Sequence, residues 1–369
     1  MRKVFIVTER RADYSRFKPI LDLIEQDPDL NYDLVVTGMH LKKEHGHTID
    51  EILSDGFKIH STFEMFLEKE DTGASMVRSF GKAVVELTHI LEESKPSLVL
   101  SGFDIAANFA VTVAAAHMNI PVAHIQGGEV SGTIDESIRH AMSKFSHYHL
   151  AANEDACERL IKMGEDPNHV FNVGCPSIDA IMQVEDNKEV LQKYNLEQPY
   201  FLMIQHPVTT EIEKTEEQIL ETLQAIKESN IKVLTIMPNN DAGYSQIIRK
   251  IDNSDIYRVN SLSISDYVNL LKRSQGLLGN SSSGIHETAT FNVPTINIGT
   301  RQDGRLRPLN VIDVAYDKEQ IKKAIEICKN NNGTVYDNPY GDGNSSQRIV
   351  DLLKSIDLSK NIIQKRIQY

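Results

Sequence analysis

A carboxylate-rich segment follows a short apolar run near the middle of the chain. The segment QGGEVSGTIDESIRH, residues 126–140, comes directly after PVAHI and contains Glu129, Asp135 and Glu136. Two glycines allow a tight turn after a strand, and the Thr-x-x-Glu pattern from Thr133 suits the start of a helix. The acids are either helix caps and solvated charges or proton-transfer groups, since a carboxyl in a closed cleft can be tuned towards neutral pH.

Two further segments place a titratable side chain just after an apolar run. GFDIAANF contains Asp104, which is either a helix cap or a carboxylate that faces a cleft. MIQHPVTTE contains His206, which is restrained by the fixed backbone angle of Pro207. An isolated histidine is more often a structural residue packed in the protein interior. At the carboxyl end of a strand, however, it is a candidate for proton transfer or phosphate contact.

The segment LLGNSSSGIHETA, residues 277–289, has the composition of an anion site. Serine-rich turns often only cap helices, but N–H groups and small hydroxyls at a helix start can hold a phosphate without positive side chains. We expect that helix to begin near His286. Glu287 is either a partner of ribose hydroxyls or a first-turn partner of the helix dipole. The candidate nucleotide-binding residues of this segment are Asn280, Ser281, Ser282 and Glu287.

Arginines stand at the ends of two apolar runs. Arg10 and Arg11 follow the first run, and Arg301 follows TINIG. A guanidinium at such a position can bind phosphate with two parallel hydrogen bonds. No G-x-G-x-x-G follows the first strand, and neither a Walker loop nor a Gly-x-Ser-x-Gly elbow is present. The sequence therefore lacks the main motifs that would indicate a dinucleotide oxidoreductase or a P-loop enzyme.

The composition restricts the partners and the compartment. A net charge of −13 over 369 residues leaves no general basic surface for nucleic acid, so phosphate recognition must be local. The longest apolar-rich stretch, 109–116, is much shorter than the ~20 residues needed to cross a bilayer. The first apolar run is too short for a signal peptide. We therefore expect a cytoplasmic protein with no membrane partner.

Metal sites and disulfides are not indicated. The three cysteines are far apart and odd in number, which is typical of reduced thiols. The histidine pairs His45/His47 and His147/His149 have spacings that a metal can use, but neither has a convincing third ligand nearby. We predict no metal.

The order of elements predicts a parallel α/β fold in two doubly wound domains. Short β-branched runs alternate with amphipathic segments throughout, and the clearest predicted helix spans Met76–Glu93. A polar stretch places a linker near 175–197. Strands are predicted at Lys3–Thr8, Tyr32–Thr37, Leu98–Ser101, Pro121–Ile125, Tyr148–Ala151, Val170–Val173, Tyr200–Gln205, Lys232–Met237, Ile256–Val259, Gly276–Leu278 and Thr295–Ile298. Ligands of such domains bind at the carboxyl ends of the strands, so a nucleotide-sugar would lie in the cleft between them.

These segments together resemble the hydrolysing UDP-N-acetylglucosamine 2-epimerases of the sialic- and legionaminic-acid pathway type. The resemblance runs in order over nearly the whole chain. It is carried by RADYS (11–15), GGEVSGTIDESIRHA (127–141), GCPSID (174–179), QHPVTTE (205–211), GNSSSG (279–284), GTRQDGR (299–305) and YGDG (340–343).

The resemblance implies a glycosyltransferase-B-like fold without a cofactor, assembled as a homodimer or homotetramer. It implies a Rossmann-like domain over residues 1–180 and a UDP-binding Rossmann-like domain over 190–354. A C-terminal helix at about 355–369 would cross back to the first domain.

The resemblance also implies a reaction, which is anti elimination of UDP to a 2-acetamidoglucal followed by addition of water to give the 2-epimer. The nucleotide-binding positions of the family fall on Arg11, Ser15, His206, Ser281, Ser282, Glu287 and Arg301. Its acid/base positions fall on Asp104, residue 126 and Asp135.

The chain departs from the family at two places. Residue 126 is Gln where the family has Glu, and SGFDIAAN stands where the family has a Gly-Asp-Arg sequence. Because Gln126 cannot exchange a proton, either Asp104, Asp135 and His206 carry the proton transfers with help from Glu129, or the substrate differs. We expect turnover to persist, with a sugar such as a 2,4-diacetamido-6-deoxy hexose. Rival interpretations are a UDP-sugar-dependent glycosyltransferase of the same fold and a UDP-sugar sensor that has lost turnover through Gln126.

Overall fold

Two parallel sheets organise the chain, which a computed structural model describes over residues 1–43, 46–66, 72–331 and 333–368. His45, one of the paired histidines, lies outside these ranges. The described residues contain no group of three or more side chains suited to holding a metal ion. Across the same ranges, every helix is too short or too polar to span a membrane.

The first sheet has the strand order β3-β2-β1-β4-β5-β6-β7, and its strands pair in parallel. Its strands are β1 (Arg2–Thr8), β2 (Leu30–Thr37), β3 (Ile59–Phe63), β4 (Leu98–Gly102), β5 (Val122–Ile125), β6 (Tyr148–Ala151) and β7 (Val170–Asn172). The accompanying helices are α1 (Arg11–Gln26), α2 (Ile49–Ser54), α3 (Gly73–Ser94), α4 (Ala106–His117), α5 (Ile134–Phe145), α6 (Glu154–Lys162) and α7 (Pro176–Met182).

The second sheet has the order β10-β9-β8-β11-β12-β13 and is also parallel. Its strands are β8 (Phe201–Ile204), β9 (Val233–Ile236), β10 (Tyr257–Val259), β11 (Leu277–Gly279), β12 (Thr295–Ile298) and β13 (Val311–Val314). The helices are α8 (Val190–Lys193), α9 (Thr215–Glu228), α10 (Tyr244–Asp252), α11 (Ile264–Arg273), α12 (Ser283–His286), α13 (Lys318–Lys329), α14 (Ser345–Ser355) and α15 (Lys360–Ile363).

The central strand β1 shows why the first sheet is covered on both faces. Val4 and Ile6 join the core that contains α1, whereas Phe5 and Val7 join the core that contains α3 and α4. All four side chains are fully buried. Because neighbouring residues of a strand point to opposite faces, a continuous apolar run requires helices on both sides of the sheet. The predicted doubly wound α/β fold is confirmed.

Two strands were not predicted, and both lie at sheet edges. β3 (IHSTF) ends the first sheet and β13 (VIDV) ends the second. Their side chains are largely half-buried or exposed, since an edge strand has a neighbour on one side only. Their sequences therefore lack the long apolar runs of the interior strands.

The helix that returns to the first domain is α14, which begins ten residues earlier than the predicted range of about 355–369. Ile349, Val350 and Leu353 pack into the core of the first sheet, so this helix belongs with that domain. Asp179 fixes its start, because the Asp179 carboxylate accepts hydrogen bonds from the backbone N–H groups of Ser345 (3.1 Å) and Ser346 (2.5 Å). Up to residue 368, the chain after α14 forms one further short helix, α15, and Ile356 and Ile362 pack into the same core.

Candidate active site

Loops from both domains surround one cavity of about 330 Å³. The lining segments follow the carboxyl ends of strands in each sheet, as expected for two doubly wound domains. The predicted site residues that line the cavity are Asp104, Asp135, His206, Arg11, Ser15, Ser281, Ser282, Glu287 and Arg301. Three other predicted residues, Gln126, Glu129 and Asn280, do not line it and are buried nearby.

The loop after β1 is held by Asp13, which positions the arginines at the start of α1. The Asp13 carboxylate accepts hydrogen bonds from the backbone N–H groups of Glu9 and Arg10, each at 2.9 Å. Burial raises the pKa of Asp13 to about 6, although those N–H groups favour its ionised form. With the loop fixed, one face of the first two turns of α1 is turned to the cavity. That face consists of Arg11, Ala12, Ser15 and Arg16.

Two carboxyl groups of the first domain face the cavity with opposite pKa shifts. Asp104 contacts the guanidinium of Arg139. Burial opposes ionisation, but Arg139 and then Arg305 keep the pKa of Asp104 below its ordinary value. Asp135 lies in the first turn of α5, and both burial and the nearby charge of Asp104 raise its pKa. The site therefore pairs an ionised carboxylate with a carboxyl group that retains a proton more readily.

His206 is held as a neutral imidazole at the end of β8. Burial and the nearby charge of Arg301 lower its pKa well below the ordinary value. The backbone N–H of Asn239 donates to Nδ1 (3.2 Å), so the ring proton resides on Nε2. Asn280 fixes the histidine backbone: its Oδ1 accepts the His206 N–H (2.7 Å) and its Nδ2 donates to the His206 carbonyl (2.9 Å). Asn280 thus positions His206 from outside the cavity.

The serine-rich loop supplies the second domain's side of the cavity. The short helix α12 begins at Ser283 rather than near His286, and the hydroxyls of Ser281 and Ser283 lie 2.9 Å apart. Arg301 lies beside this loop: its Nη1 donates to the Asn280 carbonyl (3.3 Å), and its Nη2 is 3.9 Å from Asp135 and 3.5 Å from Asp241. Hydroxyls, N–H groups and a guanidinium on one wall form a suitable environment for a phosphate.

Glu129 lies in a buried cluster that joins the two domains beside the cavity. Its Oε1 accepts a hydrogen bond from Gln126 Nε2 (3.0 Å). Its Oε2 lies 3.1 Å from His286 Nε2 and 3.0 Å from Arg305 Nη1, both in the second domain. The Glu129 carbonyl accepts a hydrogen bond from Arg139 (2.9 Å), which also contacts Asp104. We call these residues, Gln126, Glu129, Arg139, His286 and Arg305, the interdomain cluster.

The charges of the interdomain cluster balance when Asp104, which contacts Arg139, is counted with it. Although burial opposes ionisation, His286 and Arg305 hold the pKa of Glu129 well below its ordinary range. Burial lowers the pKa of His286 to about 4, so this ring is neutral at pH 7. Two guanidiniums, of Arg139 and Arg305, therefore face the carboxylates of Glu129 and Asp104.

Sequence reasoning missed four residues at or next to the cavity. Arg139 follows Asp135 by four residues on a helix, a spacing that places both on one face. Arg16 follows Ala12 by the same spacing, and Arg305 stands in the quoted segment GTRQDGR. Asp241, which contacts Arg301, lies after β9 in a segment that showed no motif.

Gly132 is a point of close approach between the domains. Its N–H donates to the carbonyl of Arg301 (3.0 Å), and an added Cβ would overlap the Thr300 carbonyl oxygen. We expect Gly132→Ala to displace Arg301 and to weaken binding of a diphosphate roughly tenfold, the loss of about one charge-assisted hydrogen bond. Calorimetric titration with inorganic pyrophosphate measures this. The matched control is Gly81→Ala, where an added Cβ meets nothing within 4 Å. Equal affinities of the two variants would refute the expectation.

Comparison with known proteins agrees with this geometry. The sequence pattern of the family described as UDP-N-acetylglucosamine 2-epimerase matches residues 22–354. The UDP-N,N′-diacetylbacillosamine 2-epimerase (hydrolyzing) of Legionella pneumophila is 38% identical over 99% of both chains. The UDP-N-acetylglucosamine 2-epimerase of Neisseria meningitidis is 32% identical over 99% of this chain and 98% of its own.

A solved structure supports the fold. The Methanocaldococcus jannaschii UDP-GlcNAc 2-epimerase, crystallised in complex with UDP-GlcNAc and UDP, superposes with a TM-score of 0.83 at 22% identity. The superposition covers 95% of this chain and 99% of the other. Two parallel-sheet domains of the glycosyltransferase-B type are thereby confirmed.

Proposed function

The chain belongs to the UDP-N-acetylglucosamine 2-epimerase family, and from that premise we propose that it is a hydrolysing 2-epimerase of a UDP-sugar. The observation that carries the proposal is the shared cavity. It brings Asp104, Asp135 and His206 together with the serines after β11 and with Arg301. Phosphate-binding groups and proton-transfer groups thus face one ligand-sized space, as release of UDP from a sugar requires.

The proposed first step is elimination of UDP. The ionised carboxylate of Asp104 takes the proton from carbon 2, the bond between carbon 1 and the phosphate oxygen breaks, and a double bond forms between the two carbons. UDP leaves as an anion. His206 Nε2–H, the serine hydroxyls and Arg301 stabilise its charge.

The proposed second step is hydration of the glucal. Water adds its hydroxyl to carbon 1 and gives up its other proton to the solvent, while carbon 2 receives a proton on the face opposite to the one that lost it. Inversion therefore needs a second proton-transfer group. The raised pKa of Asp135 favours its protonated form, so this carboxyl group is suited to donate the proton to carbon 2. The products are UDP and a free N-acetylmannosamine-type sugar.

We infer that the substrate carries a 2,4-diacetamido-6-deoxy sugar rather than N-acetylglucosamine. Three apolar side chains, Ile105, Ile134 and Ile138, line the same cavity as Asp104 and Asp135. Such surroundings suit the methyl groups of a deoxy sugar and a second acetamido group better than free hydroxyls. The higher identity to the Legionella relative agrees with this choice. The product would be of the kind consumed in legionaminic- or sialic-acid synthesis.

Product analysis tests the proposal. Purified protein is incubated separately with UDP-N,N′-diacetylbacillosamine and UDP-N-acetylglucosamine in deuterated water, and UDP and free sugar are quantified. We expect UDP and a 2-epimer that carries deuterium at carbon 2, with the larger kcat/KM for the diacetamido substrate. Absence of both products with either substrate would refute the function, and a preference for UDP-N-acetylglucosamine would refute only the choice of sugar.

The geometry disfavours one rival interpretation, the non-catalytic sensor, and an experiment separates the other. Gln126, the departure that motivated a non-catalytic sensor, lies outside the cavity, where its amide donates to Glu129. A carboxylate is not required there for proton transfer from Asp104 or Asp135. A glycosyltransferase would release UDP only when an acceptor is added, so UDP release in the absence of an acceptor separates that function from epimerisation.

A further inference from the structure

Glu211 ends the segment QHPVTTE, and its side chain does not line the cavity. Its half-buried carboxylate nevertheless accepts a hydrogen bond at each oxygen. Oε1 accepts the hydroxyl of Thr300 (2.7 Å), and Oε2 accepts the side-chain amide of Gln218 in α9 (2.5 Å). A carboxylate that is bonded at both oxygens has a fixed orientation, because rotation would break a charge-assisted hydrogen bond.

Thr300 directly precedes Arg301 in the loop that follows β12, so Glu211 holds the residue next to a cavity-lining guanidinium. The turn that carries Glu211 is itself closed by a hydrogen bond from the Glu211 N–H to the Val208 carbonyl (2.8 Å). From the first domain, the Gly132 N–H donates to the carbonyl of Arg301 (3.0 Å). Two consecutive residues of the loop are therefore held, one from each domain.

Arg301 is a long side chain close to two carboxylates. Its Nη2 lies 3.5 Å from Asp241 and 3.9 Å from Asp135, beyond the usual length of a hydrogen bond. A displacement of about 1 Å would bring the guanidinium into a direct ion pair with either carboxylate and would partly neutralise its charge. The guanidinium therefore stays available to a phosphate only while the backbone that carries it is fixed.

We propose that Glu211 is a positioning residue for Arg301, to which it is linked through the Thr300 hydroxyl. The inference rests on the proposed function for one point, that Arg301 meets the diphosphate of a UDP-sugar. Because Glu211 lies outside the cavity, its effect on the ligand passes through the backbone of the loop. The segment QHPVTTE thus serves the site twice, with His206 at the cavity and Glu211 behind Arg301.

Calorimetric titration with UDP tests the inference. We expect Glu211→Ala and Thr300→Val each to weaken UDP binding roughly tenfold, the usual loss for a hydrogen bond to a charged group. Thr300→Ser, which keeps the hydroxyl, should retain the wild-type affinity. The matched control is Glu213→Ala, which removes an exposed carboxylate two residues further along the chain and outside the cavity.

A cycle of substitutions with Arg301 separates positioning from general destabilisation. If Glu211 acts through Arg301, Glu211→Ala weakens UDP binding in the wild-type protein but changes it less than about twofold in protein that already carries Arg301→Ala. A merely structural role would lower the affinity by the same factor in both backgrounds.

The outcomes separate this inference from the function. Equal affinities of Glu211→Ala and Glu213→Ala, unchanged UDP binding in Thr300→Val, or an equal loss in the two Arg301 backgrounds would each overturn the role of Glu211. Wild-type protein that binds UDP but forms no free sugar would refute the epimerase reaction and leave the comparison of variants valid. Wild-type protein that does not bind UDP would overturn both.

Discussion

Asp104→Asn will reduce UDP release from the UDP-sugar by about 10²- to 10⁴-fold, the usual contribution of a positioned general base. The amide keeps the shape of the side chain but cannot take the proton from carbon 2, so elimination fails at its first step. Steady-state assays of UDP release measure the loss. UDP affinity should change little, because the proposed role of Asp104 is at carbon 2 of the sugar. The control is Asp33→Asn, which removes a carboxylate that pairs with Lys3 outside the cavity (3.2 Å).

Asp135→Asn separates the two proposed steps. If Asp135 serves hydration, this variant still releases UDP, and the 2-acetamidoglucal accumulates instead of the free 2-epimer. Mass spectrometry of the sugar product distinguishes the two compounds, which differ by one water. An Asp104→Asn variant that releases UDP at the wild-type rate, or that accumulates the glucal, would show that the roles of the two carboxyl groups are wrongly assigned.

The interior of each sheet was predictable because burial on both faces leaves a strong pattern in the sequence. β1, β4 and β5 are apolar runs with buried side chains throughout or nearly so. The edge strands β3 and β13 were not predicted, because their side chains are partly exposed and their sequences lack such apolar runs. The helix predicted at Met76–Glu93 extends from Gly73 to Ser94, since Thr72 caps its start by accepting a hydrogen bond from the Ser75 N–H (3.2 Å).

The lining of the cavity followed from the rule that ligands meet the carboxyl ends of parallel strands. What that rule could not show is which loop residues meet one another across the domains. Glu129 precedes His286 by 157 positions, and nothing in either segment indicates that the two side chains share a hydrogen bond. Sequence reasoning therefore counted Glu129 among the catalytic acids, whereas the structure places it in the interdomain cluster outside the cavity.

The position of Glu129 leads to a second large expected effect, on stability. Glu129→Gln will lower the free energy of unfolding by about 3–5 kcal/mol, the usual cost of removing one member of a buried ion pair. The carboxylate is 4% exposed, and its loss leaves the buried guanidinium of Arg305 without a neutralising partner. A lower Tm in thermal unfolding measures the effect. The control is Glu136→Gln in the same segment, whose partly exposed carboxylate accepts the Ser131 N–H (2.8 Å).

The pH dependence of this effect has a defined sign. The folded-state pKa of Glu129 is depressed, so its contribution to stability is fully present above its ordinary pKa of 4.5 and is lost as the pH falls towards the folded-state value. The difference in Tm between wild type and Glu129→Gln should therefore be constant from pH 7 down to about pH 5 and shrink below that. A difference that grows on acidification would contradict the assignment.

Gln126→Glu tests the same hydrogen bond from its donor side, because the Gln126 amide donates to the Glu129 carboxylate at 3.0 Å. A second carboxylate at that distance would repel the first, so the substitution should destabilise the protein and should not raise the rate of UDP release. Combining it with Glu129→Gln restores one carboxylate and one amide, and should recover part of the lost stability. Faster turnover in Gln126→Glu would instead mean that residue 126 reaches the substrate, and the interdomain cluster would then belong to the catalytic machinery.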